Sequence, residues 1–284
     1  MDIHDLVQEN DQVATLPDIF FRLREVMDDP KSSFDEIAEI IGYDAGLTAR
    51  LLKIVNSAYF GFSNRIATIS HAISIIGMDQ LNDLVISTIV INKFKGISDE
   101  TINMRSFWEH SLACGLAARA LAVHKKESNP ERFFVAGLLH DIGRLTLCIK
   151  CPEKVQEAFQ LSKAEDLALP LAERRVMGFD HAMLGGLLLR AWQLPKSHEE
   201  AVAFHHQPSR APEYRFEAAM VHVADIIANT LQIGCGVETS IPCLENEARE
   251  LTEIGENIFF SSVMKEVVLQ FEEASGVFLE SIPQ

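Results

Sequence analysis

Apolar residues recur every three or four positions along nearly the whole chain, and no run of alternating β-branched residues bounded by hairpin turns interrupts them. The pattern predicts an all-α protein. Leu16-Pro17 opens a helix running to about Asp28, since Pro in a first turn lacks only an N–H that would have no partner, and Pro30 helps to end it. Ser33 with Glu36 three residues on is a capping-box pair, predicting a helix through Ile40-Ile41 to Gly42. Asp44 caps the next, from residue 45 to about 56, whose Leu47, Leu51, Leu52 and Val55 form one stripe. Residues 69–95 predict two further helices with Gly77 between them, and the apolar stretch 84–91 reads as core or interface.

Segment 96–103 is polar, contains Gly and Ser, and is the best boundary: it separates residues 1–100 from residues 101–284. Beyond it the periodicity predicts helices at about 104–125, 131–149, 152–163, 166–176, 180–193, 196–206, 213–233 and 257–276. Residues 234–247 form the longest expected loop. The apolar residues of 258–278, among them Phe259, Val263, Val267 and Phe271, are expected to cover the core rather than pair with a second subunit.

Composition narrows the function. Hydrophobic residues make up 48% and charged residues 23%, the balance of a globular chain. A net charge of −16 repels nucleic acid and anionic lipid, so neither is an expected partner. The 33–56 helix pair has the pattern of a DNA-binding helix-turn-helix and carries Arg50 and Lys53. It also carries Asp35, Glu36, Glu39 and Asp44, too acidic for a recognition surface. No apolar run approaches a membrane span, the first ten residues have no apolar core, and the 5 cysteines follow no disulfide spacing. A cytoplasmic protein with free thiols is expected. Cys148 and Cys151 form a C-x-x-C, but without a second pair or a strand-turn-helix context they read as thiols at a helix end. No phosphate-binding Gly-rich loop or dinucleotide fingerprint is present.

The reactive residues all lie after the boundary: His110, the doublet His140-Asp141, His181, the pair His205-His206, and Asp225. Histidine with carboxylate suits one or two first-row ions such as iron, manganese or zinc, and an Asp can bridge two of them. Any one histidine alone reads as a hydrogen-bonded core residue. Their number and their apolar surroundings point instead to a common site. On a continuous helix His140 and Asp141 would point about 100° apart, so both reach one site only if the helix passes directly beside it. A buried Asp141 needs a cation or metal. Arg144, on nearly the same face, can pair with it or clamp a phosphate. Gly185 and Gly186 permit close approach of another helix, and His222 is expected to support the site or pack beside it.

The strings GLLHDIGRL, DHAMLGGLLLRAWQLP, AVAFHH and VHVADIIAN, with the upstream His110, resemble the HD superfamily of metal-dependent phosphohydrolases. With LPDIFFRLREVM, DAGLTARLLKIVNSAYFG and ISHAISIIGMDQL ahead of them, they are more narrowly similar to the HDOD family of bacterial signalling domains. The resemblance implies a multi-helical fold, an N-terminal helical subdomain packed on an HD-type core, acting as an output module that binds a signalling protein. Many members look as though they have lost metal ligands, whereas this chain keeps a suitable residue at almost every ligand position. By the same resemblance His110, His140, Asp141 and Asp225 hold one ion, and Asp141 bridges to a second held by His181, His205 and His206. QPSRAPEYRF, which follows the paired histidines, lacks the Gly-Tyr-Pro motif of the cyclic di-GMP-degrading branch; Ser106 stands where a further Glu ligand is expected, and Arg144 where that branch usually has Lys. Two functions follow as expectations: a signalling output module with a retained metal site, or a metal-dependent phosphohydrolase acting on a nucleotide or other phosphate ester, with Asp141 and Arg144 as its catalytic residues.

Overall fold

The computed structural model describes residues 2–7, 16–27, 29, 31–57, 60–94, 102–234, 242–253, 257–280 and 282. Among these the regular elements are helices alone, as the periodicity predicts. No helix of the described residues is long and apolar enough to cross a membrane. The chain forms two compact units. One comprises Leu16–Gly96 with Val268–Gln284, the other Met1–Thr15 with Ile97–Val267.

The first unit opens with α1 (Asp18–Met27), which begins at Asp18 rather than at Leu16. Asp28 and Pro30 lie outside the described residues. α2 (Phe34–Gly42) starts with the predicted capping box: Ser33 Oγ accepts from the Glu36 N–H at 3.2 Å, and Glu36 Oε2 accepts from the Ser33 N–H at 2.7 Å. α3 (Ala45–Val55) is capped by Asp44, whose Oδ1 accepts from the Leu47 N–H at 2.9 Å. α4 (Ile69–Ile76) and α5 (Met78–Phe94) meet at Gly77, where φ is 90° and a side chain would be strained. Every residue of 84–91 is buried, as expected of a helix apolar on all sides. Its two hydroxyls cost nothing there, because Ser87 and Thr88 donate to the carbonyls of Asp83 and Leu84 at 2.9 and 2.8 Å.

The second unit, called here the site unit, contains α6 (Met104–His124), α7 (Pro130–Leu139), α8 (Ile142–Lys150), α9 (Pro152–Glu165), α10 (Leu169–Met177), α11 (His181–Ala191), α12 (Lys196–Ala203), α13 (Arg215–Leu231) and α14 (Asn246–Thr252). α15 (Asn257–Phe278) places Val263 and Val267 in the interior and leaves Val268 half exposed. The side chain of Phe259 lies outside the described residues.

Three expectations change here. The single helix expected at 131–149 is two, α7 and α8, and His140-Asp141 is the junction. The helix expected to 206 stops at Ala203, leaving His205-His206 in a turn. Of the loop at 234–247, residues 235–241 lie outside the description and Asn246 already begins α14. Close packing secures the first junction. A Cβ on Gly137 would stand 2.8 Å from the Cys114 carbonyl oxygen of α6, and one on Gly143 only 2.1 Å from the His181 carbonyl oxygen of α11. Gly185 and Gly186 likewise let α12 approach, since a Cβ on Gly186 would lie 2.6 Å from the Ala203 Cβ.

Candidate metal centre

The break between α7 and α8 delivers both members of the His140-Asp141 doublet. Asp141 adopts φ −98° and ψ 8°, and the Arg144 N–H closes a tight turn on the Asp141 carbonyl at 2.8 Å. The helix is interrupted at the two residues, so the 100° separation of a continuous helix does not apply to them. His110 comes from the middle of α6, His181 from the first residue of α11 behind the Asp180 cap, and Asp225 from α13. All seven predicted ligands converge. Three overlapping groups have ligand atoms within 4.8 Å of one another: His110 with His140 and Asp225; His140 with Asp141 and His205; and His181 with His205 and His206.

The orientation of the rings carries the chemistry. The Nδ1 atoms of His140 and His205 donate to the carbonyls of Gly137 and Val202, both at 2.7 Å, while His181 Nδ1 donates to Glu173 Oε2 at 2.6 Å. Each outward N–H turns Nε2 inward, and in the neutral rings of His140 and His205 that nitrogen presents a lone pair. Around His181 Nε2 crowd Asp141 Oδ1 at 3.0 Å and His206 Nε2 at 2.9 Å, and Asp225 Oδ1 lies 3.1 Å from His110 Nε2 and 3.6 Å from His140 Nε2. At the centre His205 Nε2 is buried without a hydrogen-bond partner, and Asp141 Oδ1, despite the nearby His181, has no hydrogen bond of proper angle. Buried acceptors facing one another without donors are costly. A divalent cation would satisfy them, and so the donor set fits one or two first-row ions.

The electrostatics agree. Burial and the neighbouring His140 and His181 push the His205 pKa down to about 3, and burial with His205 holds His206 well below its usual range, so both present neutral rings. Burial lowers His140 as well. Burial alone would raise both carboxylates, but Arg144 and the histidines hold Asp141 well below the usual range, and His110 and His140 bring Asp225 to about 2. His181 is the exception: burial is outweighed by the Glu173 and Asp141 carboxylates, which lift it to about 10. Arg144 Nη1 lies 3.1 Å from Asp141 Oδ2, which forms the expected ion pair.

Three supporting residues complete the site. His222 fulfils the supporting role expected of it by donating from Nδ1 to the His205 carbonyl at 2.7 Å. Glu173, which the sequence reading missed, accepts from both the backbone N–H and the ring of His181 at 2.9 and 2.6 Å. Its signal was available: Leu169, Glu173 and Met177 share one helix face, placing a carboxylate in an apolar stripe. Asn229, one turn after Asp225, was also missed and donates to Asp225 Oδ1 at 2.8 Å. Cys148 and Cys151 are free thiols, and burial raises Cys148 to about 11, which suits the passive role expected of it.

Comparison with known proteins identifies the family and the fold. The family model of the HDOD domain matches residues 13–208. An HDOD domain protein of unknown function from Geobacter sulfurreducens superposes with a TM-score of 0.71 at 24% identity, covering 98% of this chain and 94% of that one. A protein from Shewanella amazonensis SB2B, named "Putative phosphohydrolase", superposes with a TM-score of 0.74 at 23% identity, over 99% of this chain and 100% of that one. At these identities the likeness establishes the fold. An uncharacterized protein of Treponema pallidum (strain Nichols) is 26% identical over 207 residues, 72% of this chain but 39% of that relative's length.

Proposed function

From the chain's membership of the HDOD domain family, we propose that it is a cytoplasmic signal-transduction module that keeps a working HD-type metal centre, at which a phosphate ester is bound and hydrolysed. The observation that carries this reading is the inward aim of the His140, His181 and His205 Nε2 atoms upon two buried carboxylates, each ring braced from behind. His110, His140, Asp141 and Asp225 would hold one ion, and His181, His205 and His206 the other, with Asp141 between them. Bound ions lower the pKa of a coordinated water to about 7 and neutralise charge developing on phosphoryl oxygens. The chain's own part is to hold Asp141 ionised against Arg144, to keep His205 and His206 neutral, and to bury the centre so that electrostatic terms are strong. A signalling protein as partner follows from the family membership, and Phe34, Tyr43 and Ile75 of the α1–α5 unit, 48%, 69% and 44% exposed, would be available to it.

Elemental analysis of anaerobically purified protein tests the centre. Wild type is expected to carry about one to two iron, manganese or zinc ions per chain, and Asp141→Ala close to none while keeping its helical circular dichroism. A folded wild type that stays metal-free after reconstitution would sink the proposal and leave a protein-binding module. With metal bound, a panel of phosphate esters should show turnover that Asp141→Ala abolishes.

A further inference from the structure

Beside His206 the site unit holds a cavity of about 300 Å³, at the lower end of the range typical of small-molecule pockets. His206 is the ligand candidate that lines it, and it is only partly buried, unlike His140, Asp141, His181, His205 and Asp225. The cavity therefore reaches the second half of the ligand cluster from outside. Its walls are mostly apolar: Ile3 from the N-terminal 3-10 turn, Met183 and Leu187 from α11, and Phe204 from the turn after α12. The turn that carries Ile3 is held in place by Lys150, which donates from Nζ to the Leu6 carbonyl at 2.7 Å.

The polar edge is cationic, in a chain whose net charge is −16. Arg174, Arg190 and Arg210 line the cavity. Arg174 faces Asp180 at 2.6 Å and Arg190 faces Glu199, so both are neutralised. The Arg210 guanidinium rests instead on the neutral Gln207 Oε1 at 2.9 Å, an oxygen that Arg174 Nη1 also reaches at 3.3 Å. A positive edge beside a metal-ligand candidate suits an anionic phosphoryl group. The Met183, Leu187 and Phe204 walls suit a flat, apolar substituent on it, since aromatic and thioether side chains favour ring faces and edges.

Resting on the metal-centre reading, we propose that this cavity is the substrate-selecting subsite, taking organic phosphates whose ester group is planar and apolar in preference to small or sugar-like esters. The phosphoryl group lies toward His206 and Arg210, and the ring lies between Met183 and Phe204.

Phenylphosphonate and methylphosphonate, titrated calorimetrically into manganese-reconstituted full-length protein, test the subsite without requiring turnover. Wild type should bind phenylphosphonate at least about tenfold more tightly than methylphosphonate. Met183→Glu, at a position 44% exposed and so harmless to folding, should bring the two within about twofold. Arg210→Ala, also at an exposed position, should weaken both by a similar factor of about ten. Equal affinities in wild type, a preference that Met183→Glu leaves intact, or failure of both phosphonates to bind would each overturn the subsite. Metal content of the same samples separates the two ideas. Full metal occupancy with equal affinities removes the cavity and leaves the centre, whereas phenyl selectivity in a protein that takes up no metal removes the centre and leaves the cavity.

Discussion

The α1–α5 unit and the site unit put different groups out of reach of water. In α1–α5 the buried polar side chains are Ser57, Asp83, Ser87 and Thr88, and the three hydroxyls donate to carbonyls of their own chain segment. In the site unit His140, Asp141, Arg144, Glu173, His181, His205, His222 and Asp225 are all buried, and their bonds run between α7, α8, α10, α11 and α13. Burying charge is unfavourable by several kcal/mol per ion unless the partners are near ideal. The first unit follows the economical rule of apolar interior and capped helix ends. The second departs from it most densely at the candidate metal centre, and also at Glu131, Asp180 and Glu200, which take Arg119, Arg174 and the Glu213 and Tyr214 N–H groups as partners.

Small substitutions can break that contrast. The largest effect is expected at Gly143, where a Cβ would meet the His181 carbonyl oxygen at 2.1 Å and the Gly185 nitrogen at 2.6 Å. Gly143→Ala should lose about 3 kcal/mol or more in chemical denaturation. Gly42→Ala, with nothing within 4 Å of its Cβ, should be neutral or stabilising by up to about 1 kcal/mol. Equal costs at the two glycines would mean that the α8–α11 approach is not what supports the site.

Glu173 comes next. Glu173→Gln keeps the shape but removes the charge that orients and polarises His181, and metal affinity should fall about 10- to 100-fold by competitive chelator titration. Ser33→Ala in the other unit should cost about 1 kcal/mol of stability through the lost cap while leaving metal affinity unchanged. An unchanged affinity in Glu173→Gln would reduce Glu173 to a packing residue.

The same contrast governs pH dependence, measured on metal-free protein. With a folded pKa of about 3, His205 binds fewer protons folded than unfolded once pH falls below the usual histidine range near 6.5. Its contribution to stability is therefore complete above about 6.5 and is lost as pH falls toward 3, with a slope of about 1.4 kcal/mol per pH unit per proton. His206 and His140, also lowered, act in the same sense. His181, raised to about 10, acts oppositely, losing its contribution as pH rises from about 6.5 toward 10. Denaturation midpoints between pH 4 and 6.5 should slope upward with pH, and His205→Gln should flatten that slope; a slope unchanged by the substitution would mean that His205 is not buried neutral.

Much of the fold could be read from local pattern. Ser33 with Glu36, Asp44 before Leu47, and Gly77 between two apolar stripes announce elements whose causes lie within a few residues of one another. The ligand candidates could also be read, because histidines and aspartates in apolar stretches violate the pattern that buries everything else. The junction at His140-Asp141 could not: the string FFVAGLLHDIGRL is apolar at helical spacing throughout, and the break depends on Gly137 meeting α6 and Gly143 meeting α11. Glu173 escaped notice for a related reason, since its partner His181 lies beyond the end of its own helix.

Sequence alone thus determined most of the helical segments, though not α14 or the division of α7 from α8, and which side chains are chemically able to hold a metal, because propensity, capping and donor type are local properties. Only the tertiary structure decided that seven such side chains from separate segments meet, which nitrogen of each ring faces inward, and that a cavity opens beside His206. Those are matters of packing between helices far apart in the chain, set by where glycines admit backbone contact and where buried hydrogen bonds can be completed.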